Sequence, residues 1–299
     1  MRLPVPLLAS AGALLLAGPA SAQDVPGPAG QQLPDLEQEA PAGLVLASGA
    51  LDGRPRRYVL GFRSAVRNVG LGPLVISGRR GSRRTPLMTA TQRIQRADGA
   101  VDDVAGVGRL RYVVSPGHRH WHLLGFDRYR LRRASGGRTV RRDRKTGFCL
   151  GDRFRTLAPL AGTALATPAF TSNCGPRQPS RLSVTEGISV GYGDDYTANL
   201  EGQYLTLSGL PAGRYVLAHE VNAGRRLREL SYANNAASLL LSLRWRRGMP
   251  DVRVLASCEH SATCTAGGTT ARRATATPVA SAAARPLYCR LGAAARAAG

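Results

Sequence analysis

The stretch Gly117-His118-Arg119-His120-Trp121-His122 places three of the chain's five histidines at positions i, i+2 and i+4. Read as a strand, where successive side chains face opposite ways, it sends all three imidazoles to one face and Arg119 and Trp121 to the other. Histidines two apart readily share a metal ion. The outer pair is separated by about 13 Å of extended chain, so a kink or bulge is expected to bring His118 and His122 together. Three neutral imidazoles suit copper or zinc. Water or substrate in the remaining position leaves such a metal open to chemistry. The spacing does not choose between the two metals.

Working outward, residues 58–66, 74–76, 89–96 and 112–114 carry strand-like patterns, and 118–131 runs extended. Downstream, 187–190, 203–208, 215–221 and 237–245 do the same. Turn signals separate them: 68–72, Asp98-Gly99, the Ser-Pro-Gly break at 115–117, Ser135-Gly136-Gly137-Arg138 and Pro211-Ala212-Gly213. The turn at 135–138 is expected to return the chain beside the histidines as a hairpin. No sustained 3.6-residue apolar period and no internal repeat is present. The pattern predicts a mainly β, antiparallel β-sandwich-like domain with long loops and little helix.

The 299 residues are 43% hydrophobic, enough for a sizeable core, and 35 Gly with 19 Pro favour turns over long helices. That composition excludes a coiled coil and a collagen-like fibre. Beyond the N-terminus no apolar run approaches the ~18 residues of a membrane span, which excludes a polytopic membrane protein. Residues 1–22 read as a secretory signal: Arg2, an apolar stretch over 7–17, and Ala20-Ser21-Ala22 as the cleavage site. The protein is therefore expected to be secreted, with 23–32 a flexible leader, 33–265 the folded domain and 266–299 a disordered Ala/Arg-rich tail. An oxidising exterior permits disulfides. Cys258 and Cys264 can close a small loop, and Cys149 and Cys174 can tie two core segments. Cys289 is left odd, and spacing alone does not fix the connectivity.

Forty-one basic residues against nineteen acidic ones give a net charge of +22. One arginine leaves with the signal, so the mature side chains carry +21. Such a charge attracts nucleic acid without specificity, but no nucleic-acid-binding motif is present. Electrostatics favours association with anionic cell-envelope polymers over nucleic acid, and a generic basic surface explains the charge most simply. Among the basic residues there is a single lysine, Lys145. Arginine stays protonated in a protein, whereas a lysine can shed its proton and act as a nucleophile.

Five segments follow in order: His118-x-His120-x-His122; Lys145-x-x-Phe148-Cys149-Leu150-x-Asp152; Gly187-Ile188-Ser189-x-Gly191 with Asp194-x-Tyr196; Gln203-Tyr204; and Val221-Asn222 leading to Glu229-x-x-Tyr232-x-Asn234-Asn235. Together they resemble the lysyl oxidase family over about 118–235, with weaker likeness from Leu33. The resemblance implies a copper-dependent amine oxidase whose copper ligands are His118, His120 and His122. It implies that Lys145 and Tyr196 fuse into a lysine tyrosylquinone, a reaction open to an amine and closed to a guanidinium. The quinone would take up a primary amine, peptidyl lysine or a small amine, and a base would remove its α-proton. An aldehyde, ammonia and hydrogen peroxide would result. Asp194 matches the family carboxylate two residues before the tyrosine, with Asp195 as alternate. Phe148 and Trp121 read as core residues, Asn234-Asn235 as a structural turn.

The chain departs from the family pattern in four places. Vertebrate members have more cysteines, and Tyr192 stands where the family has one. The stretch 79–111 adds material outside the pattern. The segment from Cys149 to Gly187 is longer and rich in Pro and Ala, which leaves the pocket and its substrate open. Two other functions use the same histidines: a non-catalytic secreted metal-binding β-sandwich, and a zinc hydrolase acting through bound water. Only the oxidase needs Lys145 and Tyr196 as chemical partners.

Overall fold

A computed structural model describes residues 30–49, 57–115, 118–143, 145, 147–156, 168–172, 174–198, 200, 202–268 and 277–278. Within them the chain forms β1 (Gln31–Gln32), β2 (Leu36–Gln38), β3 (Ala42–Gly49), β4 (Arg57–Asn68), β5 (Leu74–Arg79), β6 (Leu87–Arg96), β7 (Val101–Ser115), β8 (His118–Leu123) and β9 (Asp127–Arg133). It continues through β10 (Thr139–Arg142), β11 (Phe154–Arg155), β12 (Ser183–Ile188), β13 (Tyr192–Tyr196), β14 (Tyr204–Thr206), β15 (Gly213–Val221), β16 (Ala236–Arg246), β17 (Met249–Cys258) and β18 (Thr277–Pro278). There is no helix among the described residues. The mainly β, antiparallel expectation holds.

Three sheets form. The first runs β12-β5-β6-β7-β8, with β1 also on β6. The second runs β10-β9-β15-β16-β17. The third runs β11-β13-β4-β3-β18, with β2 and β14 also on β4. Every pairing is antiparallel except β18 on β3. Inward-facing residues of all three sheets meet in one apolar core that includes Phe62, Leu74, Ile76, Met88, Leu110, Tyr129, Leu217 and Leu239. Each fully buried Leu or Ile contributes about 1.5–3 kcal/mol relative to exposure.

Several expectations change in detail. The extended run 118–131 is two strands in two sheets. It breaks at Leu124-Gly125-Phe126, where Gly125 takes a left-handed φ of 71° and turns the chain from β8 into β9. The hairpin at 135–138 pairs β10 with β9 in the second sheet, not with the histidine strand. The stretch 79–111 supplies most of β6 and β7. Gln31 and Gln32, placed in the leader by sequence, pair with Arg96 and Gln95 respectively. The signal segment 1–22, the odd Cys289 and nearly all of the expected tail lie outside the described residues; Thr277 and Pro278 pair with Val45 and Leu46.

Strand β8 is the last strand of its sheet, and its outer edge is closed by irregular chain. Trp121 N donates to Cys174 O at 2.9 Å, Arg177 N donates to Arg119 O at 2.7 Å, and Leu123 and Phe148 exchange both backbone bonds at 2.7 and 3.0 Å. The Cys149–Cys174 disulfide ties the two covering segments together. A second disulfide, Cys258–Cys264, closes a small loop. Gly147 lets the covering segment approach, because a Cβ there would lie 2.8 Å from Leu123 O and 2.9 Å from His122 Cβ. Replacing Cys149 and Cys174 by alanine is expected to cost about 3 kcal/mol through loop-closure entropy. A lowered denaturant midpoint, with a slope that steepens as the freed unfolded chain expands, would register that loss, and an unmoved midpoint would contradict it.

Candidate metal and amine site

The three imidazoles converge on one face of β8. Ring centroids are 5.2 Å apart for His118–His120, 4.7 Å for His120–His122 and 5.0 Å for His118–His122. One ring nitrogen from each lies within 4.8 Å of the others. The expected kink is absent: β7 and β8 pair without a register break from Leu110↔Leu123 to Ser115↔His118. The outer rings lean along the strand toward His120 instead. On the opposite face Trp121 is fully buried, edge-on to Tyr112 and beneath the Arg80 guanidinium at 4.7 Å. That anchor fixes the strand's rotation and so the aim of the histidines.

All three imidazoles are held neutral. Burial, then the Lys145 charge, pushes His118 down to about 4. Burial and the neighbouring His118, Arg153 and Lys145 lower His120 to about 4. Burial and the two sister rings lower His122 to about 2. Neutral imidazoles at metal-ligand separation fit a metal ion. His122 Nδ1 is buried without a hydrogen-bond partner among the described residues, which such an ion would satisfy. A second group of donors, Cys149, Cys174 and Glu186, is not a metal site because its sulfurs are joined in the disulfide.

Lys145 lies on the segment that leads to Gly147 and the edge of β8. Its Nζ sits 4.6 Å from the Tyr196 ring centroid and 5.1 Å from the Phe148 centroid. The Phe148 ring stands edge-on to Tyr196 at 4.9 Å. Gly202 packs its backbone on Lys145, where a Cβ would come 2.9 Å from Lys145 Cα. Tyr196 and Asp194 alternate with Asp195 on β13, so the first two face inward and Asp195 faces out to Arg63 at 2.9 Å. The strand's period thus separates the two candidate carboxylates.

The Tyr196 hydroxyl lies 2.8 Å from Asp194 Oδ2 and 2.9 Å from the Cys149 carbonyl oxygen. One hydroxyl proton cannot serve both acceptors. When Asp194 is ionised the phenol donates to its Oδ2; when Asp194 is protonated it can donate to Tyr196 Oη while the phenol donates to Cys149 O. Burial pushes Asp194 up to about 7, against the opposing pull of the Tyr196 bond and of Arg153, whose Nε is 3.6 Å from Oδ1. Burial, then Asp194, also raises the Tyr196 phenol well above its ordinary value.

Sequence reasoning brought Lys145, Tyr196, Asp194 and the histidines into consideration, and the fold gathers them. It missed Glu186 and Arg153. Glu186 is buried with a strongly raised pKa, caused by burial first and by Asp194 among the lesser charges. Its signal was available: Val184, Glu186 and Ile188 occupy one alternating face, so a carboxylate stands where the pattern demands an apolar residue. Gln203 is also buried. The Val221-Asn222…Asn234-Asn235 segment proves to be scaffold. Glu229 accepts from Asn222, from Asn235 and from the Leu36 backbone N–H, while Asn234 donates to Asp35.

The fold and site define a β-sheet protein with a three-histidine candidate metal site beside a facing lysine–tyrosine pair. A model of the lysyl oxidase family matches residues 82–248, and the chain belongs to that family. The match includes most of the stretch 79–111, which the motif pattern had left out. Protein-lysine 6-oxidase of Gallus gallus is 29% identical over 119 residues, covering 40% of this chain and 24% of that protein. Protein-lysine 6-oxidase of Sus scrofa is 28% identical over 122 residues, 40% of this chain and 41% of that protein. Lysyl oxidase homolog 1 of Homo sapiens is 28% identical over 119 residues, 40% of this chain and 18% of that protein. The matched stretch thus spans less than half of each relative.

Because the imidazoles are already neutral, binding a metal ion would expel no proton from them until the solution is acid. Affinity for a divalent metal ion, copper or zinc, is expected to hold from about pH 7 to about pH 5 and to fall near pH 4, where His118 and His120 take up protons. Chelator competition across that range measures it. A decline starting near pH 6.5, the ordinary imidazole value, would contradict the assignment.

Proposed function

We propose that the protein is a secreted, copper-dependent amine oxidase whose catalytic unit is residues 33–265 and whose lysine tyrosylquinone derives from Lys145 and Tyr196. The reaction is R–CH2–NH2 + O2 + H2O → R–CHO + NH3 + H2O2, acting on peptidyl lysine or small primary amines. The observation that carries this reading is the amine of the chain's single lysine, 4.6 Å from the Tyr196 ring centroid. Family membership supports it, as do the relatives' names, which state oxidation of protein lysine. Two disulfides and a signal-like N-terminus support export.

His118, His120 and His122 would hold copper through ring nitrogens that burial keeps unprotonated. Copper and the quinone supply, when present, an electrophilic carbonyl for the amine and a route for two electrons to O2. Lys145 provides the one basic side chain able to become a neutral nucleophile. Phe148, edge-on to the phenol, keeps the Tyr196 ring turned toward that amine. Asp194 holds a proton at Tyr196 Oη and, once ionised, accepts the phenolic proton. The same carboxylate is our assignment for the base that removes the substrate α-proton. Cys149 O and the Gly151 backbone N–H keep the pair in register, at 2.9 Å from Oη and 3.3 Å from Oδ2.

Aerobic copper loading is expected to yield visible quinone absorption, and tryptic mapping a cross-linked peptide pair containing Lys145 and Tyr196. Lys145→Arg should bind the same copper yet give peroxide only at buffer background. Amine-dependent peroxide in that variant would overturn the quinone assignment. Unmodified Lys145 and Tyr196 in a folded, copper-replete protein would leave a metal-binding sandwich.

Asp194 is raised to about 7, so its proton-accepting form grows as pH rises through that value. Quinone formation is expected to accelerate from about pH 6 to about pH 8. Asp194→Asn should be slow throughout and lack that rise. A flat wild-type profile would remove Asp194 from the proton path.

A further inference from the structure

Lys145 and Phe148 also line a cleft of about 500 Å³, between the turn after β8, the start of β9, the end of β10 and the turn after β15. That size suits a small molecule. Its inner walls are apolar, formed by Leu123, Phe126 and Leu227. Four arginines line it, Arg128, Arg130, Arg142 and Arg226. Arg128 and Arg130 share one carboxylate, Glu220. Arg142 and Arg226 are exposed and make no ion pair among the described residues. Two aspartates also line the cleft, but their oxygens are engaged. Asp127 accepts from Ser64 Oγ at 3.0 Å and from Arg128 N at 2.7 Å, and Asp143 accepts from Tyr129 N at 2.8 Å. Even with both counted as ionised, four guanidiniums face three carboxylates.

We infer that this cleft selects primary amines that carry a carboxylate on a short aliphatic chain, with Arg142 and Arg226 receiving the carboxylate. The inference rests on the amine-oxidase reading, which puts the reacting amine at the Lys145–Tyr196 pair, of which Lys145 lines the cleft and Tyr196 lies behind it. The methylene chain then lies along the Leu123, Phe126 and Leu227 wall. A guanidinium binds a carboxylate through paired, charge-assisted hydrogen bonds, whereas a cationic tail meets like charge. The chain thereby disfavours amines in strongly cationic surroundings.

Three six-carbon probes that differ only in the tail test this: ε-aminocaproate (anionic), hexylamine (neutral) and hexamethylenediamine (cationic). On the copper-loaded protein, calorimetric affinity and kcat/KM are both expected to fall in that order, with the spread narrowing as salt rises. The ratio of ε-aminocaproate to hexylamine should drop about tenfold in Arg142→Gln and again in Arg226→Gln, the scale of one charge-assisted contact. Arg142→Glu should raise hexamethylenediamine above ε-aminocaproate. Equal affinities for the three tails, or an unchanged ratio in both variants, would overturn the inference. Oxidation of all three without tail preference defeats the cleft assignment and leaves the oxidase standing. Arginine-dependent binding of ε-aminocaproate without oxidation of any probe defeats the oxidase reading and leaves the cleft standing.

Discussion

The edge of strand β8 is the constraint on which the site depends. A strand that ends a sheet has unpaired backbone groups, and here they are satisfied by irregular chain from residues 148, 174 and 177. Those segments have no periodic pairing to hold them, so the Cys149–Cys174 bond does so. The same segments carry the chemistry. Phe148 meets Tyr196, the Cys149 carbonyl receives the Tyr196 hydroxyl, and Lys145 enters just upstream. Closing the edge and assembling the site are one structural event.

Burial sets the protonation of nearly every group around that edge, and in one direction: toward neutrality. Three imidazoles are deprotonated, and Asp194 and Glu186 are pushed toward their acid forms. A strongly basic protein thus encloses an interior with little charge of its own. The excess arginine remains at the surface and around the cleft. The interior can then accept an ion or move a proton with little competition from fixed charge.

Much of the fold was legible because period-two alternation is a local signal. The 58–66, 215–221 and 237–245 patterns correspond to β4, β15 and β16 almost end to end. The run 118–131 was misread because apolar alternation continues through a turn that only Gly125 marks. Strand β17 was passed over although Val252, Val254 and Ala256 alternate inward, since charged residues occupy its outer face. At the site, residue types named the candidates: one lysine, three histidines, one Asp-x-Tyr. What sequence could not supply was convergence. The leaning of His118 and His122, the inward face shared by Asp194 and Tyr196, and the stacking of Lys145 over an aromatic ring depend on pairings between residues far apart in the chain.

The Glu229 cluster carries a consequence for how the molecule is made. Leu36 bonds to Glu229 and Asp35 to Asn234, contacts that span 193 and 199 positions. In a chain emerging from its N-terminus, the first strands can pair with β4 and β6 early, but these two contacts wait until residues past 230 have followed. Strand β2 lies on β4, and β4 carries the partner of Tyr196, so the frame around that tyrosine closes late. Non-local closure of this kind is slow and leaves apolar strands exposed in the interval. The bond proposed between Lys145 and Tyr196 would need β13 already paired with β4, and would so be a covalent record of that assembly.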